Sequence, residues 1–292
     1  MPQQINLFGH PIVRNDDLAS IDELFHRSVE LRSTEKFIDF IQFTSRLKHY
    51  SLFNNALVYM QNPQVTFYAT EVHWRRAFDR IIKPDARPMV ILAPMTPVLF
   101  VYDWSDTEGE GELPDMIEGL FDVEGILPDG LLEKTIKNCD RYKFVVQRRS
   151  MGTLQAGRVL SPRWTDTGYQ RTKDVKAFIT INVKFDDEAA YATLCHELAH
   201  VFLGHLGNDA DEWWPNRSDL PTTPEELEAE AVSYLVLNRL GLETKSAEYL
   251  AGYIHSQDDL RSISPGSIVK VASLIERMGK KLIAPKKHKN MS

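Results

Sequence analysis

The sequence predicts an α+β protein of two domains, and three observations carry that expectation. In the first half, helical periodicity gives way to short β-like runs punctuated by proline and glycine. The second half instead runs strand, long helix, helix. Between them, from Asp103 to Asp129, acids accumulate with no lysine or arginine, the composition of a solvated connector or surface helix. The expected organisation is a flexible lead over 1–16, a first domain of mixed helix and strand over 17–130, a second domain over 131–284 and a basic tail over 285–292.

Each element has its own signal. Asp17 to His49 reads as two helices, the second with Phe37, Ile38, Ile41 and Leu47 at near-helical spacing. A helix over Phe53–Met60 is stopped by Asn62-Pro63, because proline offers no amide to continue the ladder. Strands are expected at Val65–Tyr68, Pro88–Ala93 and Val98–Tyr102. In the second half the strands are Tyr142–Arg149, Gly157–Leu160 and Ala177–Val183, the last followed directly by a helix over Glu188–Gly204. Further helices are expected at Pro224–Leu240, Ser246–Ser256 and Gly266–Ile283.

Composition narrows the class. A 43% hydrophobic share with 26% charged residues is that of a globular chain. The formal charge of −7 argues against coating nucleic acid with the whole surface, although it leaves room for a local basic groove. Cys139 and Cys195 are too few for a disulfide framework, and the first residues lack the basic start and apolar run of a secretory signal. No apolar segment approaches bilayer-spanning length. A cytoplasmic protein with no membrane partner is the expectation.

The chemistry centres on "TLCHELAHVFLGH", Thr193 to His205. Residues four apart share one face of a helix, so His196 and His200 can offer two imidazoles to one ion, zinc being the expected cofactor. Glu197 sits beside the first ligand, where a carboxylate can take a proton from water and so serve as the catalytic base. The β-run before this helix is expected to be an edge strand along which an extended peptide could lie. A third ligand is still required. His205 does not supply it by the extended HExxHxxGxxH pattern, whose glycine and third histidine positions hold Leu203 and Leu206. In "PEELEAEAVSYLVLNRLGL", Glu226 and Glu230 form another i, i+4 pair. Glu226 is assigned to the metal, and Glu230 to the outer N–H of a ligand histidine. Glu225 and Glu228 are rivals for the ligand role.

"TLCHELAHVFLGH" followed by "EELEAEAVSYLVLNRLGL" resembles the metallopeptidase half of ArdC-like antirestriction proteins, and more distantly the ImmA/IrrE peptidases. "YSLFNNALVYMQNPQVTFYATEVHWRRAFDRIIKPDARPMVILAP" and then "VYDWSDTEG" resemble the single-stranded-DNA-binding half of the same family. The resemblance covers most of residues 36–256. It departs at "IIKPDARP", where the family commonly has a Gly- and Lys-rich turn. It implies non-specific binding of single-stranded DNA by the first domain, a zincin-like metallopeptidase as the second, and a plasmid, phage or other mobile element as the setting.

Single-strand binding needs positive charge for the backbone and aromatic faces for the bases. Arg46, Lys48, Arg75, Arg76, Arg80, Lys83 and Arg87 are interleaved with aromatics across this stretch. Taken with the resemblance, the candidate DNA contacts are Lys48, Tyr50, Asn54, Asn55, Gln61, Trp74, Arg75 and Arg76. "QINLF", Gln4 to Phe8, resembles the short peptide by which bacterial proteins dock on the replicative sliding clamp. The leading expectation is an antirestriction peptidase acting on protein substrates associated with DNA. Its rivals are a non-enzymatic DNA-binding antirestriction protein with a structural zinc and an ImmA-like regulatory peptidase that cleaves a repressor.

Overall fold

The computed structural model describes residues 22, 34–47, 49–93, 98–111, 125–151, 156–161, 175–208, 211–242 and 260–287. The expected lead over 1–16 with Gln4–Phe8, nearly all of the first predicted helix, Lys48, residues 112–124 of the acidic connector, the predicted helix Ser246–Ser256 and the end of the basic tail lie outside them. The chain mixes helix and strand and divides into two compact units, Met1–Val123 and Glu124–Ser292. Among the described residues no helix is long and apolar enough to cross a membrane.

In the first unit, α1 (Thr34–Arg46) buries Phe37, Phe40, Ile41 and Thr44, one stripe at helical spacing, against α2 (Leu52–Gln61). Ser51 caps α2 by accepting the Asn54 amide. The remaining elements are β1 (Tyr68–Ala69), α3 (Glu71–Phe78), β2 (Arg80–Ile82), β3 (Met89–Leu92), β4 (Val98–Asp103) and β5 (Thr107–Gly109). β4 lies between β1 and β3, antiparallel to both, while β2 and β5 form a separate antiparallel pair. The Trp-centred segment is the helix α3, started by Thr70, whose hydroxyl accepts the His73 amide. That cap, with Glu71 in the first turn, is a start signal legible in the sequence.

The motif residues of this half hold the unit together. Asn55 is fully buried; its amide donates to the Thr44 and Leu47 carbonyls at 2.8 and 3.0 Å, closing the end of α1, and its oxygen accepts the Tyr68 hydroxyl at 2.7 Å. Asn54 exchanges two hydrogen bonds with the Leu92 backbone, and Gln61 exchanges two with Val90. Alternate residues of β3 are thereby paired along the edge turned away from β4, which blunts an edge that would otherwise present bare backbone. Arg80 donates to Thr107, Gly109 and Gly111 and stacks over the Trp104 ring at 3.7 Å. Asp103 accepts the Thr66, Phe67 and Ser105 amides, so Asp103 and Thr107 of the "VYDWSDTEG" stretch are both internal fastenings.

The second unit comprises α4 (Leu131–Arg141), β6 (Phe144–Arg149), β7 (Gly157–Leu160), β8 (Ala177–Asn182), α5 (Asp187–Leu203), α6 (Thr222–Leu240) and α7 (Pro265–Lys280). α4 is outside the expected set, although Leu131, Leu132, Thr135 and Cys139 mark its buried stripe. The sheet order is β6-β8-β7, with β6 parallel and β7 antiparallel to β8. This corrects one expectation: among the described residues the β-run that leads into the histidine helix is the central strand, and β7 holds an edge. The buried row Ala177, Phe178, Ile179 and Ile181 fits that central place, since a covered strand can be apolar on both faces. Helix α5 packs on β7, β8, α6 and α7, which is why it is apolar nearly all round.

Candidate metal centre

Two packed helices build the centre. Asp186 caps α5 at its start, and α5 then presents His196 and His200 one turn apart; α6 brings Glu226 and Glu230 opposite them. The two histidine Nε2 atoms lie 3.2 Å apart. Glu226 places its carboxylate oxygens 3.3 Å from His196 Nε2 and 3.7 Å from His200 Nε2. A four-coordinate zinc with bonds of about 2.0–2.1 Å separates neighbouring ligand atoms by about 3.3 Å. His196, His200 and Glu226 therefore fit one divalent cation, with all three ligand atoms within 4.8 Å of one another. Among the described residues the set stops at two imidazoles and one carboxylate.

Electrostatics sharpen the picture. Hydrogen bonds from His196 and His200 hold Glu226 well below the usual carboxylate range, more than offsetting its burial. Burial disfavours a charged His196, yet the hydrogen bonds to Glu226 and Glu230 and the charge of Glu197 raise it to about 10. Burial pushes the Glu197 carboxyl up to about 7, against the pull of His196 and of a hydrogen bond from the Val159 amide. Glu197 is 8% exposed and lines a cleft of about 700 Å³ together with His196, His200, Glu226, Gly157, Arg158 and Val159. β7 approaches closely because Gly157 has no side chain: a Cβ there would lie 2.4 Å from Thr193 Cγ2 and 3.0 Å from Glu197 Oε1.

Both histidines of the cluster have outer partners. His196 Nδ1 is 3.2 Å from Glu230, the assignment expected from the i, i+4 spacing. His200 Nδ1 is 3.0 Å from His205 Nδ1, and His205 Nε2 is 2.9 Å from Glu228. Helix termination places His205 there. Gly204 turns left-handed at φ +85°, the Gly204 amide donates to Val201 and the His205 amide to His200. These two bonds make the Schellman closure, which folds the residue after the glycine back over the last turn. A Cβ at Gly204 would also meet the Pro215 carbonyl at 2.1 Å, so the turn requires glycine.

Glu228, a rival for the ligand role, faces away from the centre and is fully buried. Arg217 clasps it in two hydrogen bonds of 2.6 and 2.8 Å, and the Ser264 amide donates to it as well. Burial opposes its charge, but His205 and Arg217 outweigh that and hold its pKa below the ordinary value. Glu225 lines the cleft without joining the ligand set, and burial raises its pKa.

No family model matches the chain, and no curated protein does. Two solved structures do resemble it. The metal-free antirestriction protein ArdC of plasmid R388 is 13% identical with a TM-score of 0.41, over 80% of this chain and 86% of that one. The Mn(II)-bound form is 13% identical with a TM-score of 0.43, over 90% of this chain and 97% of that one. A similarity of this extent fixes neither activity nor ligand, which rest on the residues themselves.

The structure distributes the sequence candidates unevenly. It brings His196, Glu197, His200, Glu226 and Glu230 together. The proposed DNA contacts divide. Trp74 is fully buried, with its indole N–H on the Tyr102 carbonyl and its ring among Phe67, Phe78 and Trp104. Asn54, Asn55 and Gln61 have their amides engaged by the protein backbone as described. Tyr50 is half-buried and stacks on Tyr68 at 4.4 Å. Arg75 and Arg76 stand exposed on α3, Arg75 paired with Glu71 at 2.9 Å. Sequence reasoning weighed His205 and Glu228 only as ligands and passed over Arg217, so the hydrogen-bonded chain that the three form behind His200 is new with the structure. Only the Gly204-His205 pair after the metal helix could have signalled them.

Proposed function

We propose that this chain is a zinc-dependent peptidase of zincin type, and the observation that carries the reading is the convergence of His196, His200 and Glu226 beside Glu197 along the edge strand β7. A divalent cation held by those three residues would supply a Lewis acid that polarises a scissile carbonyl and acidifies water. The chain's own residues do the rest. Glu197, with a carboxyl poised near neutrality, accepts a proton from water in the cleft and delivers it to the leaving amine. Among the described residues β7 pairs only with β8, so apart from the Val159 amide, which Glu197 takes, its outer edge is left to hydrogen-bond an extended peptide across the cleft. Glu230 orients His196 through Nδ1. Chelation is expected to abolish cleavage of an unstructured protein such as casein, with zinc restoring it. Cleavage that persists in chelator overturns the reading.

The sequence resemblance gives the proposal its setting: protection of incoming DNA from restriction, with single-stranded DNA as the partner of the first unit. Among the described candidate contacts Arg75 and Arg76 on α3 are the exposed cations, so the reading assigns the phosphate contacts to them. Replacing both with alanine is expected to weaken single-strand binding and to reduce the slope of log K against log salt by about 1.4, at roughly 0.7 per phosphate contact. An unchanged slope removes these two residues from the interface.

A further inference from the structure

We propose that Arg217, Glu228 and His205 form a buried relay that fixes the tautomer of His200 and so sets how tightly the centre holds its cation. The inference rests on the metal reading of His196, His200 and Glu226, and it assigns a role to three residues outside that set. The argument is one of donors and acceptors. An ionised carboxylate only accepts, and Glu228 is kept ionised by two hydrogen bonds from the Arg217 guanidinium and one from the Ser264 amide. The ring nitrogen that meets Glu228 at 2.9 Å, His205 Nε2, must therefore carry its proton. In the neutral imidazole the other nitrogen, Nδ1, is then an acceptor. What faces it at 3.0 Å is His200 Nδ1, which must accordingly be the donor. A neutral His200 protonated at Nδ1 presents a bare lone pair at Nε2, the atom aimed at His196 Nε2 and Glu226.

The relay thus does for His200 what Glu230 does for His196, by a longer route. His196 has a carboxylate directly on Nδ1 at 3.2 Å, whereas His200 reaches one through an intervening imidazole. Its parts come from separate elements: the turn closing α5 supplies His205, α6 supplies Glu228, and Arg217 stands on the segment between them. The Gly204 turn seats His205 over the last turn of the ligand helix. Burial of the His205 and Glu228 side chains, at 1% and 0% exposure, keeps water from offering His200 a substitute acceptor.

The test has two parts. In metal-free wild-type protein labelled with 15N-histidine, long-range 1H–15N correlations report the tautomers directly. His200 is expected as the Nδ1–H form and His205 as the Nε2–H form. A His200 found protonated at Nε2 overturns the relay. In parallel, zinc affinity is measured by chelator competition. His205→Phe, which removes both ring nitrogens, is expected to bind zinc roughly 10- to 100-fold more weakly, the usual effect of losing an outer partner. His205→Asn, which can keep an acceptor near the position of Nδ1, is expected to recover part of that loss. Equal zinc affinity in folded His205→Phe and wild type contradicts the proposal. A wild type that takes up no zinc contradicts the metal reading instead, and the His200 tautomer then decides the relay alone.

Discussion

Replacing Glu197 with alanine is expected to lower peptide hydrolysis by about 10²- to 10⁴-fold, the range general-base catalysis contributes, while zinc binding stays close to wild type. The separation of the two effects follows from position. Glu197 lines the cleft on α5, but the three side chains that could hold a cation are His196, His200 and Glu226, without it. Its surroundings prepare it as a base: burial raises the carboxyl to about 7, and the Val159 amide holds it against β7. Alanine removes the proton acceptor and leaves the ligands. Hydrolysis measured beside zinc stoichiometry in the same preparation checks this. Activity that survives the substitution assigns the base to another group, and lost zinc makes Glu197 part of the metal site.

Glu228→Ala is expected to be the most destabilising of the changes near the centre, at about 3 kcal/mol. Removing one partner of a buried ion pair leaves the other charge uncompensated, which typically costs about 3–5 kcal/mol. The low end applies because the Arg217 side chain retains 20% exposure and can turn towards water. For a unit of this size, that corresponds to a fall in thermal midpoint of roughly 6–12 °C. Glu228→Gln keeps the shape and one acceptor, so a smaller fall is expected. Calorimetry of the metal-free proteins reads both, and a midpoint within about 2 °C of wild type for the alanine variant contradicts a structural role for the cluster.

The convergence of His196, His200 and Glu226 was legible in the sequence because helix periodicity converts spacing into direction. His196 and His200, like Glu226 and Glu230, are four apart and fall on one face; Glu228, two residues from Glu226, falls on another. The outer partner of His200 was not legible. His205 depends on a helix closure, and the bonds that join His205 to Glu228 and Arg217 to Glu228 span 23 and 11 residues through packing that no local pattern encodes. The strand before α5 was recognisable as a strand, but sheet order is a tertiary choice, and it placed β7 rather than β8 at the cleft. In the first unit, composition could not distinguish a Trp74 that stacks on bases from one that fills a core. Nor could it show that Asn54 and Gln61 pair with β3. Polar and aromatic residues serve both purposes, and only burial and bonding partners separate them.

The central claim is that His196, His200 and Glu226 hold one cation beside Glu197. Anomalous diffraction at the zinc edge, from crystals grown with zinc, tests it most directly. The expected result is a single peak bound by His196 Nε2, His200 Nε2 and a Glu226 oxygen, with a coordination position open to the cleft. Zinc bound elsewhere in the chain, or a fourth protein ligand closing the site, would contradict it.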